Sequence, residues 1–432
     1  MRGATRGLSA RSPTCLPGGV HHALMEALDK KTTALYSVAS IGAGAFFAFN
    51  NFVLPPILKG FGAPDLLTGL LSSTRSIEGV FVQPTVGAIS DRIWTPIGRR
   101  RPFMLIGIPL SALFFLMAGF YVHTLVGLAI AIFLFSLFFN AAVDPYAALL
   151  ADIAPIHERG LLSGVSTGVQ VLAQVVFLVI ISRAAAAAGE VPLWTYALVA
   201  AVMVLSFGET IFGIKERRDA VVHAEHHSFR EYAAAIASHT QAMRYLLTGF
   251  VYQFGINAVI PFLTLFLIED IHQTEDIAFA VAGLTMFITG LSAFVSGKLA
   301  ERFGSRAVLA GGWAVLVLAA IGGTLVVDLP QTLVVVVLAG IGNGAATAMS
   351  WPLLTELIPS DQTGVFAGLK AAADSVALPL SIVVATQIFL PRFGYRGIFA
   401  MLAVNIVVAL VLLLTIVRVP PRIPLSTEAV AA

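Results

Sequence analysis

One pattern, written twice, limits what this chain can fold into more than any other feature. Gly87-Ala-Ile-Ser-Asp91-Arg92 returns 210 residues later as Gly297-Lys-Leu-Ala-Glu301-Arg302. Asp152-Ile-Ala-Pro155, followed by Gly160 and Gly164, returns 204 residues later as Glu356-Leu-Ile-Pro359, followed by Gly364 and Gly368. Asn51-Phe-Val-Leu-Pro55 matches Asn257-Ala-Val-Ile-Pro261 at an offset of 206. Each copy joins long apolar segments, so the chain reads as two related membrane halves. Halves of this kind face each other across one central site in secondary transporters.

Composition agrees. Hydrophobic residues make up 58% and charged residues 12%, with a mean hydropathy of +0.89, outside the range of water-soluble domains. Apolar runs fall at 33–57, 65–90, 103–121, 124–150, 161–186, 191–214, 245–268, 277–297, 307–327, 332–355, 364–390 and 396–418. Most reach the 18 or so residues that cross a bilayer as helix, and they are apolar nearly all round. The expected fold is all-α, with twelve membrane helices in two six-helix bundles, 33–214 and 245–418. A linker, 215–244, joins the bundles, and tails 1–32 and 419–432 flank them.

Charge placement orients the chain. Of 26 Lys and Arg, 20 fall on the side that holds the tails and the linker. Only Lys59, Arg183, Arg392 and Arg396 fall on the other, and Arg75 and Lys370 lie within helices. This bias predicts a cell-membrane protein with both termini cytoplasmic. The tail 1–32 has no apolar core of a signal peptide, and Met25 offers a second start. The sole cysteine, Cys15, lies in that tail, which leaves no internal disulfide and no cysteine metal site. No carboxylate or thiol cluster accompanies His223, His226 and His227 in the linker, so they read as a solvated stretch with no metal.

Gln83-Pro84-Thr-Val-Gly87-Ala-Ile-Ser90-Asp91-Arg92, then Gly98-Arg99-Arg100-Arg101-Pro102-Phe103, resembles the loop between helices 2 and 3 of the major facilitator superfamily. The ending is similar to that of its sucrose–proton and glycoside–cation symporters, as are Asn140, Pro145 and Ala148-Leu-Leu-Ala-Asp152. This chain has Ser136 and Ala147 where that branch carries a helix-4 acid and arginine, and Arg75 and Glu78 where plant sucrose carriers have small residues. The resemblance implies the superfamily fold and a cytoplasmic gate built from Gly87, Asp91, Arg92, Gly98, Arg99, Arg100, Gly297, Glu301 and Arg302. The glycines at 87 and 297 permit close helix contact. An acid one turn on can cap a neighbouring helix start: Asp91 that of helix 11, Glu301 that of helix 5. The alternative is that Asp91 through Arg101 only enforce topology.

Charges inside the spans are a sharper signal. Arg75 and Glu78 lie in helix 2, Asp144 in helix 4, and Lys370 and Asp374 in helix 11. A charge at mid-helix costs roughly 2.5–3.5 kcal/mol on insertion scales, so these should face the interior and pair. Arg75–Glu78 and Lys370–Asp374 can simply neutralise one another. Equally, burial favours a protonated carboxyl group, which suits Asp374 or Asp144 to carry a coupling proton. Sodium is the other coupling cation that such oxygen ligands allow.

Uncharged polar groups extend the same surface. Ser163, Ser166, Gln170 and Gln174 form one stripe on helix 5, and the 204 offset places Ser166 and Gln170 opposite Lys370 and Asp374. Asn50, Asn51, Asn257 and Asn343 add donors and acceptors, or act only as helix glue. Tyr146, Tyr252 and Trp351 offer flat faces with polar edges. Gly283, Gly290 and Gly297, seven apart, read as a packing seam.

The chain lacks GxxxxGK[ST] and HExxH motifs, and no enzyme or cofactor is expected. The expectation is a monomeric, proton-coupled importer of a sugar or glycoside. The alternatives are an exporter of amphipathic compounds on the same fold, a channel, or a substrate-sensing receptor. Its partners would be a small solute, a coupling cation and the lipid bilayer, with no nucleic acid.

Overall fold

The computed structural model describes residues 29–73, 93–121, 124–154, 159–216, 239–358 and 363–419, with 82, 86, 89 and 90, but not the side chains of 151, 159–161, 301, 363–365, 367, 368 and 371. In chain order the helices are α1 (Lys30–Gly60), α2 (Asp65–Leu71), α3 (Arg101–Phe120), α4 (Leu125–Ile153), α5 (Arg159–Ala188) and α6 (Leu193–Gly213). They continue as α7 (Thr240–Asp270), α8 (Glu275–Phe303), α9 (Ser305–Leu325), α10 (Leu329–Thr355), α11 (Thr363–Val384) and α12 (Leu390–Thr415). A 20-residue helix such as α3 rises about 30 Å, the thickness of bilayer hydrocarbon.

Among the described residues, ten stretches are long and apolar enough to cross a membrane, against the twelve expected. Half of the run 65–90 lies outside the described residues. The runs 364–390 and 396–418 form one stretch, Ala372–Thr415, because a π turn, Ala385–Phe389, leads directly into α12. The bend between them is concentrated at Gly394, with φ 63° and ψ −164°, a backbone state that only glycine adopts cheaply. Helix also extends into the expected linker, since α7 starts at Thr240.

Large apolar side chains point outward. Phe212, Leu205 and Phe294 are 73%, 69% and 66% exposed, an arrangement that only lipid makes stable. Inside, two cores form. The first gathers residues from α1 to α6 around Phe46, Phe115, Phe135 and Phe139, with Phe279 and Ala282 of α8 added. The second gathers residues of α7 to α12 around Trp313, Phe266 and Phe399.

Alternation of the spans places the starts of α1, α3, α5, α7, α9 and α11 on one face, here termed the basic face, and the ends of α4, α6, α8, α10 and α12 there too. α5 packs on α8, and the contact is tightest near the opposite, far face. Ser182 Oγ donates to Asp276 O at 2.8 Å. A methyl group placed on Gly283 would lie 3.6 Å from Leu178, and one on Gly290 3.2 Å from Val171. One on Gly297 would meet no described atom within 4 Å. The glycine seam therefore covers only the first two of its three expected members, and α5 and α8 part towards the basic face.

Candidate functional site

Between α1, α4 and α5 on one side and α7 and α11 on the other, a chamber of about 500 Å³ opens. Tyr36, Ser40, Ala43, Phe47 and Asn51 line it from one face of α1, and Ser163, Ser166, Gln170 and Gln174 line it from one face of α5. These sets follow helical spacing, so each turn contributes one side chain. Ser72 and Ser73 just past α2, Tyr146 of α4, Asn257 and Pro261 of α7 and Leu378 of α11 complete much of the wall. Among the described residues that line the chamber, none is an acid, a base or a histidine.

The repeated Asn-x-x-x-Pro pattern has a geometric consequence here. Pro55 and Pro261 have no N–H, so the carbonyls of Asn51 and Asn257 lose their partners four residues on. The chain responds with a π turn, Phe49–Val53, in α1 and a 3-10 turn, Ile260–Phe262, in α7. Each half of the chain thus brings a side-chain amide and an under-used carbonyl to the inner end of the chamber.

Tyr36 and Tyr146 close the chamber wall towards the basic face. Their rings stack at 4.5 Å and 16°, and Ser40 Oγ lies 2.9 Å from Tyr146 Oη. Neither tyrosine was singled out by charge. In the sequence Tyr146 stands out only as an aromatic face, and Tyr36 carries no signal of its own.

The other expected site residues are distributed as follows. Lys370 Nζ and Asp374 Oδ2 are 2.7 Å apart and line a separate hollow of about 20 Å³ with Tyr245, Tyr252, Gln253, Trp313 and Ser350. Asn343 accepts from Tyr252 Oη at 3.0 Å and lines a third, apolar pocket. Asn50 is 2% exposed, lies off the chamber wall, and donates to Asn51 Oδ1 at 3.5 Å. Trp351 is 38% exposed on the outside of α10; Trp313, which the sequence did not single out, stands in the interior instead. Asp144 is half-buried on α4 and does not line the chamber. Arg75 and Glu78 lie outside the described residues.

Of the expected gate, Gly87, Asp91 and Arg92 also lie outside the described residues, as does the Glu301 side chain. Arg302 is exposed and sits 5.3 Å from the Phe303 ring. Gly98, Arg99 and Arg100 are gathered by two carboxylates. Asp152 receives Arg99 Nη2 at 2.5 Å and Nε at 3.1 Å, and Arg100 Nε at 3.3 Å. Glu216, just past α6, accepts the backbone N–H groups of Arg99, Arg100 and Arg101 at 2.7, 3.1 and 3.0 Å. An anion at this helix start is where orphan N–H groups and the helix dipole favour one. Gly98 is required there: its φ is 121°, and a Cβ would collide with the Glu216 carboxylate. In the second core, Glu356 Oε1 accepts from Ser305 Oγ at 2.8 Å at the start of α9. Asp152 and Glu356, repeat mates in the sequence, thus each hold the start of an equivalent helix.

Residues 35–420 match the family described as MFS/sugar transport protein, MFS being the major facilitator superfamily. The chain belongs to that family. That family is one of membrane transporters, which are not enzymes. Curated relatives include sucrose transport protein SUT3 of Oryza sativa subsp. indica, 31% identical over 90 residues, covering 20% of this chain and 18% of that one. Sucrose transport protein SUC4 of Arabidopsis thaliana is 37% identical over 75 residues, 17% of this chain and 15% of that one. The chain thus matches less than a fifth of the length of either relative. Among solved structures, the nucleoside transporter NupG superposes with a TM-score of 0.72 at 12% identity, over 90% of this chain and 100% of that one. The D-xylose-proton symporter gives 0.68 at 15% identity, over 90% and 98%. These two share its fold.

Proposed function

We propose that this chain is a proton-coupled importer of a sugar or glycoside, working by alternating access. The observation that carries this reading is the chamber: about 500 Å³, within the size range of small-molecule sites, its described wall combining amides, hydroxyls and aromatic rings with apolar side chains such as Val143 and Leu150, and holding no ionisable side chain except tyrosine among the described residues. Such a wall suits a neutral solute rich in hydroxyl groups. Among the described lining residues it offers no counter-charge to an ionised solute. With the basic face assigned to the cytoplasm by its excess of Lys and Arg, the chamber is the inward-facing one. The fold then has twelve spans in two bundles, 33–214 and 245–418, with both termini cytoplasmic in the cell membrane. Asn51, Asn257, Gln170 and Gln174 bind the solute. Asp374 is the titrating group and Lys370 its exchangeable partner. The sucrose and xylose transporters among its relatives and structural neighbours support the solute class.

Uptake into proteoliposomes under an imposed pH gradient tests this across sugars, aryl glycosides, nucleosides and amphipathic dyes. Gradient-driven accumulation of a sugar or glycoside is expected. Accumulation of none of these, with gradient-driven movement of dyes instead, would replace the reading with that of an exporter.

A further inference from the structure

The solute chamber and the hollow beside Lys370 and Asp374 share no lining residue. Leu378 of α11 faces the chamber, whereas Asp374, one turn nearer the basic face, faces the hollow. A hollow of about 20 Å³ exceeds the roughly 10–15 Å³ that one water molecule needs, and it is far too small for a sugar.

Most hydrogen-bonding groups around it are committed. Tyr245 Oη donates to Ser350 O at 2.8 Å, and Tyr252 Oη donates to Asn343 Oδ1 at 3.0 Å. Lys370 Nζ is engaged with Asp374. The Gln253 amide also lines the hollow, but of the hollow's fully buried side-chain polar atoms the one left over is the indole nitrogen of Trp313. Trp313 is 2% exposed, and its indole N–H has no hydrogen-bond partner among the described residues. Its ring is stacked on Tyr252 at 5.1 Å and 17°, and Tyr252 is fixed by Asn343, so the indole is not free to turn elsewhere. A buried donor without an acceptor is unfavourable. An acceptor small enough for the hollow is water.

We propose that this hollow is a one-water site that carries the coupling proton to Asp374 without passing through the solute chamber. Trp313 is its positioning residue: the indole N–H donates to the water, and the water donates to the Asp374 carboxylate. In the loading step a hydronium ion in the hollow gives its proton to a carboxylate oxygen as Lys370 releases it. A neutral acid and a neutral water remain, and the reverse step restores both ions. Tyr245, Tyr252, Lys370 and Asp374 are the titratable groups that line the site. The inference rests on Asp374 being the titrating group.

The test uses the full chain in lipid nanodiscs with Trp94, Trp194 and Trp351 replaced by Phe, leaving Trp313 as the sole indole. Its emission should shift with pH through a single midpoint. Asp374→Asn should abolish the shift, and Asn51→Ala should leave the midpoint unmoved. Absence of a shift, or one that survives Asp374→Asn, overturns the site. In the otherwise native chain, Trp313→Phe keeps the ring and removes the donor. Proton-driven uptake should then fall by about threefold to tenfold, the weight of one hydrogen bond, while exchange at equal concentrations persists. Trp313→His, which keeps an N–H, should recover part of the loss. Uptake by Trp313→Phe equal to that of the native chain at every pH overturns the positioning role. An Asp374-linked emission shift in a chain that moves no sugar upholds the site and removes only the solute assignment.

Discussion

Tyr36 and Tyr146 each donate a hydrogen bond to the other's backbone carbonyl. Tyr36 Oη reaches Tyr146 O at 3.3 Å, and Tyr146 Oη reaches Tyr36 O at 2.9 Å. The exchange joins α1 to α4 beside the chamber mouth. Tyr245 Oη donates to Ser350 O at 2.8 Å, joining α7 to α10, and Ser350 lies 204 residues after Tyr146. The repeat is therefore visible in a contact as well as in the sequence.

Tyr146→Phe keeps the stacked ring, removes the shorter bond and deprives Ser40 of its partner. It should destabilise the protein by about 1–3 kcal/mol, because buried groups are left unpaired. Tyr36→Phe, losing only the longer bond, should cost less. Thermal unfolding in detergent measures both. The reverse order would mean that the exchange does not hold α1 to α4.

Asp152 serves two arginines whose side chains are 13% and 8% exposed. Asp152→Asn should therefore cost about 3–5 kcal/mol, the penalty of leaving buried charge uncompensated. Glu216→Gln removes only an anion at the start of α3 and should cost about 0.3–2 kcal/mol. In a double-mutant cycle, Arg99→Ala with Asp152→Ala should lose less than the sum of the single changes, by about 0.5–3 kcal/mol. Additive losses would show that the pair is not coupled.

Much of this was legible in the sequence because periodicity and repetition act locally. The α5 stripe of Ser163, Ser166, Gln170 and Gln174 needed only 3.6 residues per turn to fall on one wall. The repeat likewise paired Asn51 with Asn257. What escaped depends on packing between distant segments. Trp313 and Trp351 look alike as apolar-helix aromatics, and only the rotation of α9 and α10 decides which faces inward. Glu216 stood in a charged linker, and nothing local showed that the chain would fold it onto the start of α3. Gly297 shared its spacing with Gly283 and Gly290, yet α5 diverges from α8 before reaching it. The join of α11 to α12 depended on a single positive φ at Gly394, where a loop was the simpler expectation.

Gly290 and Gly297 should respond oppositely to added bulk. Gly290→Leu must displace Val171 on α5 and so weaken the contact that closes the far face. Gly297→Leu enters open space. Cysteines placed at Ser182 and Asp276, with Cys15 removed, should crosslink readily in the native background and in Gly297→Leu, and at least about threefold less in Gly290→Leu, as expected for a shift of under 1 kcal/mol between two states. Equal crosslinking in both would show that the far face is held by other contacts.

The Lys370–Asp374 pair is an i,i+4 ion pair at 2.7 Å whose side chains are 25% and 23% exposed. It is neither sealed in the core nor free in water. At 1.5 Å per residue, Asp374 lies about 15 Å into α11, near the depth at which transporter sites are found. When Asp374 takes up a proton, the attraction to Lys370 ends, and the lysine can extend towards the basic face. Asp374→Asn mimics the neutral acid permanently. It should abolish accumulation driven by a pH gradient while leaving exchange between equal solute concentrations largely intact, since exchange requires no net proton movement. Lys370→Met should instead leave the half-buried carboxylate without its cation, the costly way to break such a pair, and should lower gradient-driven uptake and counterflow together. Isotope uptake and counterflow in the same proteoliposome preparation separate the two activities. Full gradient-driven uptake by Asp374→Asn would reduce the pair to a structural bridge and move the coupling role to Asp144.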